Sequence, residues 1–363
     1  MPPVPAGGLI LVTGASGYIA GVLIQVLLDQ GYSVRGTVRS ATRHQWMLKH
    51  YGPKFTLVEV PDMAADNAFD EAVKGVDGIA HTATAADMKL DPNEVIVPVV
   101  KGISNILTAA AKEPSVKSVV YTSSSDAVHF APPGTPYTVT ADSWNDASVE
   151  RAWAPSTDEG MERRFDIYAA SKTSAERAGF KWVEENKPHF TFNTVIPTHN
   201  FGTVASPINT GFSSTAAVLR SVFNGNPVVP MVVPPHFYID TEDTALLHIA
   251  ALTQPDVQNE RIFGYAGKFT WHQVVDIFRK LYPERKFLED FQEPPADQGT
   301  VDPKVFSRAE ELLQRFGKPG FGSLEDALRK GAEKVVEMEG KNVPMTAATE
   351  MAAQLTRMVA AQS

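Results

Sequence analysis

The stretch that most constrains this chain is VTGASGYIAG, residues 12–21. It comes after the apolar run Leu9-Ile10-Leu11-Val12 and leads into Val22-Leu23-Ile24. Small residues recur at every third position, as Gly14, Gly17 and Ala20. An apolar, β-branched run broken by glycine predicts a buried strand over 9–13. A helix is expected over 18–30, closed by Gly31, and a second strand over 32–38. Strand, tight glycine turn, helix, strand is the setting in which such glycines cradle a pyrophosphate. The first allows the tight turn. The second lets backbone N–H groups approach the phosphates, which also meet the positive end of the helix. The third position serves helix-on-strand packing, which alanine also satisfies. Gly14, Ser16, Gly17, Tyr18 and Ile19 are therefore the candidate nucleotide contacts of this turn.

The residues just beyond the second strand select the dinucleotide. A carboxylate there would take the ribose 2′-OH of NAD, and an arginine the 2′-phosphate of NADP. From Gln30 to Val58 there is no Asp or Glu, whereas Arg35, Arg39, Arg43 and Lys49 fall in that stretch. Arg39 stands at the strand end and Arg43 one short turn on. A guanidinium grips phosphate through two parallel bonds. The expected cofactor is NADPH/NADP+, with Arg39 as its main reader.

Further strands are expected over 55–60, 77–80 and 116–122, and a long helix over 94–112. Asp62, just past the third strand, would accept from the adenine amino group or serve as an ordinary helix cap. Thr82 and Ala83 come after the fourth strand and are small enough for the cofactor to lie close, with His81 structural or lining. The fifth strand ends at Thr122 and opens into Ser123-Ser124-Ser125. Strands alternating with helices imply an α/β fold, a doubly wound parallel sheet of Rossmann type, with ligands beyond the strands' carboxyl ends.

The segment DIYAASKTSAERAGF, 166–180, is helical in character. Tyr168 and Lys172 are four apart and share one face. A neighbouring ammonium favours the phenolate and lowers the tyrosine pKa from about 10. Such a tyrosine exchanges a proton near neutral pH. A serine at the adjacent strand end can hydrogen-bond and polarise a carbonyl.

Together these stretches resemble the extended short-chain dehydrogenase/reductases, in particular their dihydroflavonol-reductase-like branch with the yeast and fungal NADPH-dependent aldehyde, ketone and methylglyoxal reductases. The resemblance rests on VTGASGYIAG, VRGTVRS, DPNEVIVPVVKGISNIL, VVYTSSS, YAASK, VIPTHNFG and YIDTEDTALLHIAAL, and runs from about residue 8 to 330. It implies reduction of a small-molecule carbonyl substrate, with Tyr168 as general acid and Lys172 holding the nicotinamide ribose. It assigns Ser124 as the carbonyl-binding serine, with Ser125 the near competitor in a run of three. Pro197, in VIPTHNFG, matches the proline whose following backbone meets the nicotinamide amide. Asp126 departs from the family, which has a small or uncharged residue after the serines.

The expected organisation is a Rossmann domain over 1–198, joined by about 237–255, a substrate lobe from 199–236 and 256–340, and a tail helix over 341–363. The tail would dock on its own chain or on a second subunit. Phe130 and Phe201, with Trp153, Phe212 and Phe237, are either pocket lining or lobe core. With no cysteine among 363 residues, disulfides and thiolate chemistry are excluded. A net charge of −9 speaks against a nucleic-acid partner. No apolar run of membrane-spanning length and no secretory leader are evident. The expectation is a cytoplasmic monomer or homodimer with no membrane partner. No metal site is expected, because none of the nine histidines has a His-x-x-x-His pairing. Two other functions fit the same motifs. One is epimerase, dehydratase or alcohol-oxidising chemistry on this site, and the other is a non-catalytic NADPH sensor.

Overall fold

The computed structural model describes residues 3–84, 89–130 and 132–360. Its strands are β1 (Leu9–Thr13), β2 (Ser33–Val38), β3 (Phe55–Glu59), β4 (Gly78–His81), β5 (Ser118–Thr122), β6 (Pro136–Val139), β7 (Thr191–Pro197), β8 (His199–Phe201), β9 (Phe237–Asp240), β10 (Arg261–Gly264), β11 (Gly267–Lys268) and β12 (Gln298–Val301). Seven of them form one sheet in the order β10-β7-β5-β4-β1-β2-β3. Every pairing in it is parallel. This is the doubly wound architecture expected. The order reverses beside β1, between β2 and β4, which opens a crevice at the strands' carboxyl ends.

Alternation along the strands builds two cores. Ile10 and Val12 of β1 pack into the layer that includes helices Tyr18–Asp29 and Thr241–Thr253. Leu11, between them, points to the opposite layer with Ile103, Ile106 and Phe192. That second layer holds helices Pro92–Lys112 and Met161–Asn186, packed on each other. Asp91 caps the first of these by accepting from Asn93 N at 2.8 Å. Pro92–Lys112 is long and apolar enough to span a membrane, but half of its most apolar window is buried here as a core helix. Gly179 brings the other helix close to the sheet, since a Cβ there would lie 2.5 Å from the Phe192 ring.

Two placements differ from expectation. β9 does not return to the main sheet: it pairs with β8 and β11 in a separate three-stranded sheet, and only the helix after it covers the main sheet. β10 falls in the stretch expected in the substrate lobe, yet it completes the main sheet's edge against β7. Its apolar Ile262 and Phe263 are buried there. Helix Pro303–Gln314 joins it on the same layer through Ala309, Leu312 and Leu313.

A smaller lobe has its own aromatic core. Phe201 is fully buried, 5.0 Å from Phe269 and 6.3 Å from Trp271 between ring centroids. It is therefore a core residue, the second of the two roles open to it, and not a substrate contact. Phe212 belongs to the same core, and Phe237 packs on Tyr265. Trp153 is exposed, whereas Phe130 is half-buried beside Phe165. The tail helix Ala347–Ala360 docks on its own chain. Thr346 Oγ1 donates to Phe212 O at 2.6 Å, and Asn226 Nδ2 to Thr356 Oγ1 at 2.9 Å.

Candidate active site

The site assembles where β1, β4, β5 and β7 end. Gly14 turns the chain after β1 with φ of 64°. A side chain there would strike Ala83, whose N–H is held by Thr13 Oγ1 at 3.0 Å. Thr82 Oγ1 donates to Thr13 O. Gly17 then enters helix Tyr18–Asp29 in extended conformation, and no side chain caps that helix. An uncapped helix start beside a glycine turn leaves N–H groups available for an anion. Ser16 and Ile19 are partly exposed around it. Tyr18 offers only its backbone. Its phenol is buried against the smaller lobe, donating to Gly202 O at 3.3 Å and accepting from Thr241 Oγ1 at 2.8 Å.

At the end of β2, Arg39 and Arg43 are exposed, and neither makes an ion pair or side-chain hydrogen bond among the described residues. The turn that carries them is held from β3, where Glu59 accepts from Ala41 N at 2.7 Å. Linear reading missed this acid because strand pairing brings Glu59 opposite Val38. Asp62 is exposed, and Oδ1 accepts from Ala64 N at 2.8 Å in a local turn, not at the start of a helix. These features fit NADPH: a glycine turn against small residues, an uncapped helix start, and free guanidinium groups at the β2 end.

The chemistry sits at the end of β5. Helix Met161–Asn186 carries Tyr168 and Lys172. Its approach is fixed by Asp166, which accepts from Ser148 Oγ and Arg151 Nε, both at 2.9 Å. Ser124, not Ser125, is the serine close enough to the Tyr168 phenol and the Asp126 carboxyl to influence their protonation. Ser124 Oγ also accepts from Asp126 N at 3.2 Å, starting the short turn Ser125–Ala127. Lys172 is buried and donates to Thr122 O at 3.0 Å, with its ammonium 5.1 Å from the Tyr121 ring centroid. Thr122 is thereby committed, because its hydroxyl also bonds His248 Nε2 at 2.7 Å. Pro197 ends β7, buried and paired with Gly264.

Burial governs the protonation states. It pushes the Lys172 ammonium down to about 8, against the pull of Glu176 and Asp126. It pushes the Tyr168 phenol up, the Asp126 charge adds to this, and the Ser124 bond opposes it. The phenol is thus raised where a lowering by Lys172 was expected, through desolvation first and the Asp126 charge second. Burial also raises the Asp126 carboxyl, with His236, Ser124 and Lys172 opposing. His81, bonded to Thr13 Oγ1 at 2.9 Å, is held neutral by burial, down to about 3. It is structural, one of the two roles its place after β4 allowed. His248 likewise falls to about 4 through burial. Glu176 and His248 escaped sequence reading. Glu176 repeats the four-residue spacing beyond Lys172, which was the available signal.

Fold and glycine-lined crevice together define a Rossmann-type nicotinamide oxidoreductase. Residues 10–263 match the family described as the NAD dependent epimerase/dehydratase family. Among curated relatives, aldehyde reductase 2 of Sporidiobolus salmonicolor is 38% identical over 334 residues, which cover 90% of this chain and 95% of that protein. The NAD-dependent epimerase/dehydratase terH of Aspergillus terreus is 36% identical, covering 91% and 97%. Among solved structures, yeast methylglyoxal/isovaleraldehyde reductase Gre2 complexed with NADPH superposes with a TM-score of 0.75 at 25% identity, covering 92% of this chain and 100% of that one. The chain belongs to the epimerase/dehydratase family, within the extended short-chain reductases that group with the fungal aldehyde and ketone reductases.

Proposed function

We propose that this chain reduces an aldehyde or ketone to the alcohol with NADPH. One observation carries the reading. The helix that carries Tyr168 sets the buried Lys172 ammonium, one turn further on, against the Thr122 carbonyl at the end of β5, next to the turn that carries Ser124. NADPH, when bound, supplies the hydride that goes to the carbonyl carbon. Ser124 and Tyr168 hold the carbonyl oxygen, and Tyr168 delivers its proton there. A phenol raised by burial stays protonated across neutral pH, which suits an acid rather than a base. Lys172 bonds the nicotinamide ribose from the floor of the site. Backbone groups of Gly14, Ser16, Gly17, Tyr18 and Ile19 take the pyrophosphate. Arg39, seconded by Arg43, takes the 2′-phosphate. Asp62, through the carboxylate oxygen that does not take Ala64 N, would accept from the adenine amino group; Thr82, Ala83 and Thr122 would flank the ribose and nicotinamide, and Pro197 would orient the carboxamide. Ser125 and Phe130 border the carbonyl substrate.

The large sheet and its helices serve the cofactor, and the smaller lobe closes over the substrate. The net charge of −9 speaks against a nucleic-acid partner, and a cytoplasmic monomer or homodimer goes with this reading. The test is NADPH absorbance with a panel of aldehydes and ketones. Oxidation that depends on added carbonyl supports the reading. Silence across the panel while NADPH binds would overturn it in favour of a sensor.

A further inference from the structure

A buried ion pair lies behind the catalytic lysine, and carbonyl reduction by Ser124, Tyr168 and Lys172 leaves it without a task. Glu176 lies one turn beyond Lys172 on the same helix and is fully buried. Its Oε2 accepts from Ser123 Oγ at 2.6 Å. Its Oε1 accepts from Thr194 Oγ1 on β7 and from Arg261 Nε on β10, both at 2.8 Å. Arg261 donates through Nη1 to the carbonyls of Ala141 and Ser143, each at 2.8 Å. Its guanidinium sits 3.7 Å from the Trp144 ring centroid. Taking two charges out of water is costly, and apolar residues of similar volume commonly stabilise a fold at least as well. The pair therefore calls for a role beyond stability.

Its position supplies one. Lys172 faces the Thr122 carbonyl and the Tyr121 ring from β5, and neutral His81 from β4. Its counter-charges are Asp126, from the turn after β5, and Glu176, from its own helix. Glu176 is in turn surrounded by Ser123, Thr194 and Arg261, with the Tyr121 and Tyr265 phenols sensing its charge. Asp126 lies on the substrate side and is partly exposed. Glu176 is sealed off, so its field on Lys172 is weakly screened.

We infer that Glu176 is a positioning residue of the active site: its buried charge keeps Lys172 an ammonium ion, and its bond to Ser123 fixes the strand end that presents the Thr122 carbonyl and Ser124. Arg261 anchors the carboxylate from the far edge of the sheet. This rests on the reading of Lys172 and Tyr168 as the reductive centre.

The test tracks the alkaline limb of the pH–rate profile for carbonyl-dependent NADPH oxidation. The titration of Lys172 is measured in parallel by NMR of its side chain, which reports even on protein that reduces nothing. Glu176→Gln keeps the shape and removes the charge. It should move both the limb and the lysine titration down by about one pH unit. Ser123→Ala keeps the charge and removes one hydrogen bond, so the lysine titration should stay in place. If Glu176→Gln leaves Arg261 unpaired and the chain fails to fold, the double variant Glu176→Gln/Arg261→Met removes both charges; because the arginine sits beyond the carboxylate from Lys172, a downward shift smaller than that of the single variant is expected. An unmoved Lys172 titration in the folded charge-removing variant overturns the inference, as does an equal shift in Ser123→Ala. Failure of the function itself shows separately, as wild-type protein that consumes no NADPH with any carbonyl.

Discussion

The ends of β5 and β2 lie in the same crevice and are built in opposite ways. At β5 the charges of Lys172 and Glu176 are sunk into the molecule and tied down: Lys172 to the Thr122 carbonyl, Glu176 to Ser123, Thr194 and Arg261. At β2 the charges of Arg39 and Arg43 stand in solvent with nothing holding them among the described residues. The first arrangement fixes geometry and sets protonation by desolvation. The second leaves guanidinium groups free to close on a phosphate when one arrives. Damage at β5 should therefore appear in turnover and its pH dependence, and damage at β2 in cofactor affinity alone.

The sharpest break of this contrast is Tyr168→Phe. Losing the general acid should lower the rate of carbonyl reduction by about 10²–10⁴-fold, with NADPH affinity by fluorescence little changed. A loss confined to NADPH binding would contradict the division. Arg39→Glu is the counterpart at β2. It should weaken NADPH by about 10- to 100-fold, the scale of a lost hydrogen bond to a charged group, while saturated turnover and NADH affinity hold. Equal losses for both cofactors in binding assays would remove Arg39 from the 2′-phosphate.

The pH dependence comes next. Lys172 titrates at about 8 in the folded chain against an ordinary 10.5. Reduction should fall as pH rises through 8, because the ammonium is lost. The same shift acts on stability in the opposite sense. Between 8 and 10.5 the unfolded chain binds the extra proton, so this residue's contribution to stability should grow with pH across that window. Rate profiles and chemical denaturation over the window measure the two trends. The smallest effect is expected from Asp126→Ala. Its carboxylate competes for the Ser124 proton, so its removal should speed reduction by about two- to tenfold, the range of one net hydrogen bond. A slower enzyme would mean that the carboxylate helps the serine instead.

The sheet was legible because its strands are continuous apolar runs punctuated by glycine, and because β1, the glycine turn and the following helix are contiguous in sequence. The Tyr168–Lys172 spacing was legible for the same local reason. What escaped depends on contacts between distant residues. Glu59 reaches the β2 turn only through strand pairing, and Arg261 reaches Glu176 across 85 positions. Phe201 stands shortly after the strand that ends at Pro197, and aromatic content alone could not separate wall from core. The direction of the tyrosine shift escaped too, since spacing reports the neighbouring lysine and is blind to the surrounding desolvation.

His81 and His248 carry a consequence for the chain's tolerance of acid. Both rings are sealed in and held neutral well below the usual 6.5. Unfolding frees each to take up a proton. Between about pH 6 and 4, two such sites steepen the decline of stability toward acid by up to about 2.7 kcal/mol per pH unit. Souring the solution therefore works on the floor of the crevice, beneath β1 and β5, while the charge of Lys172 stays unchanged.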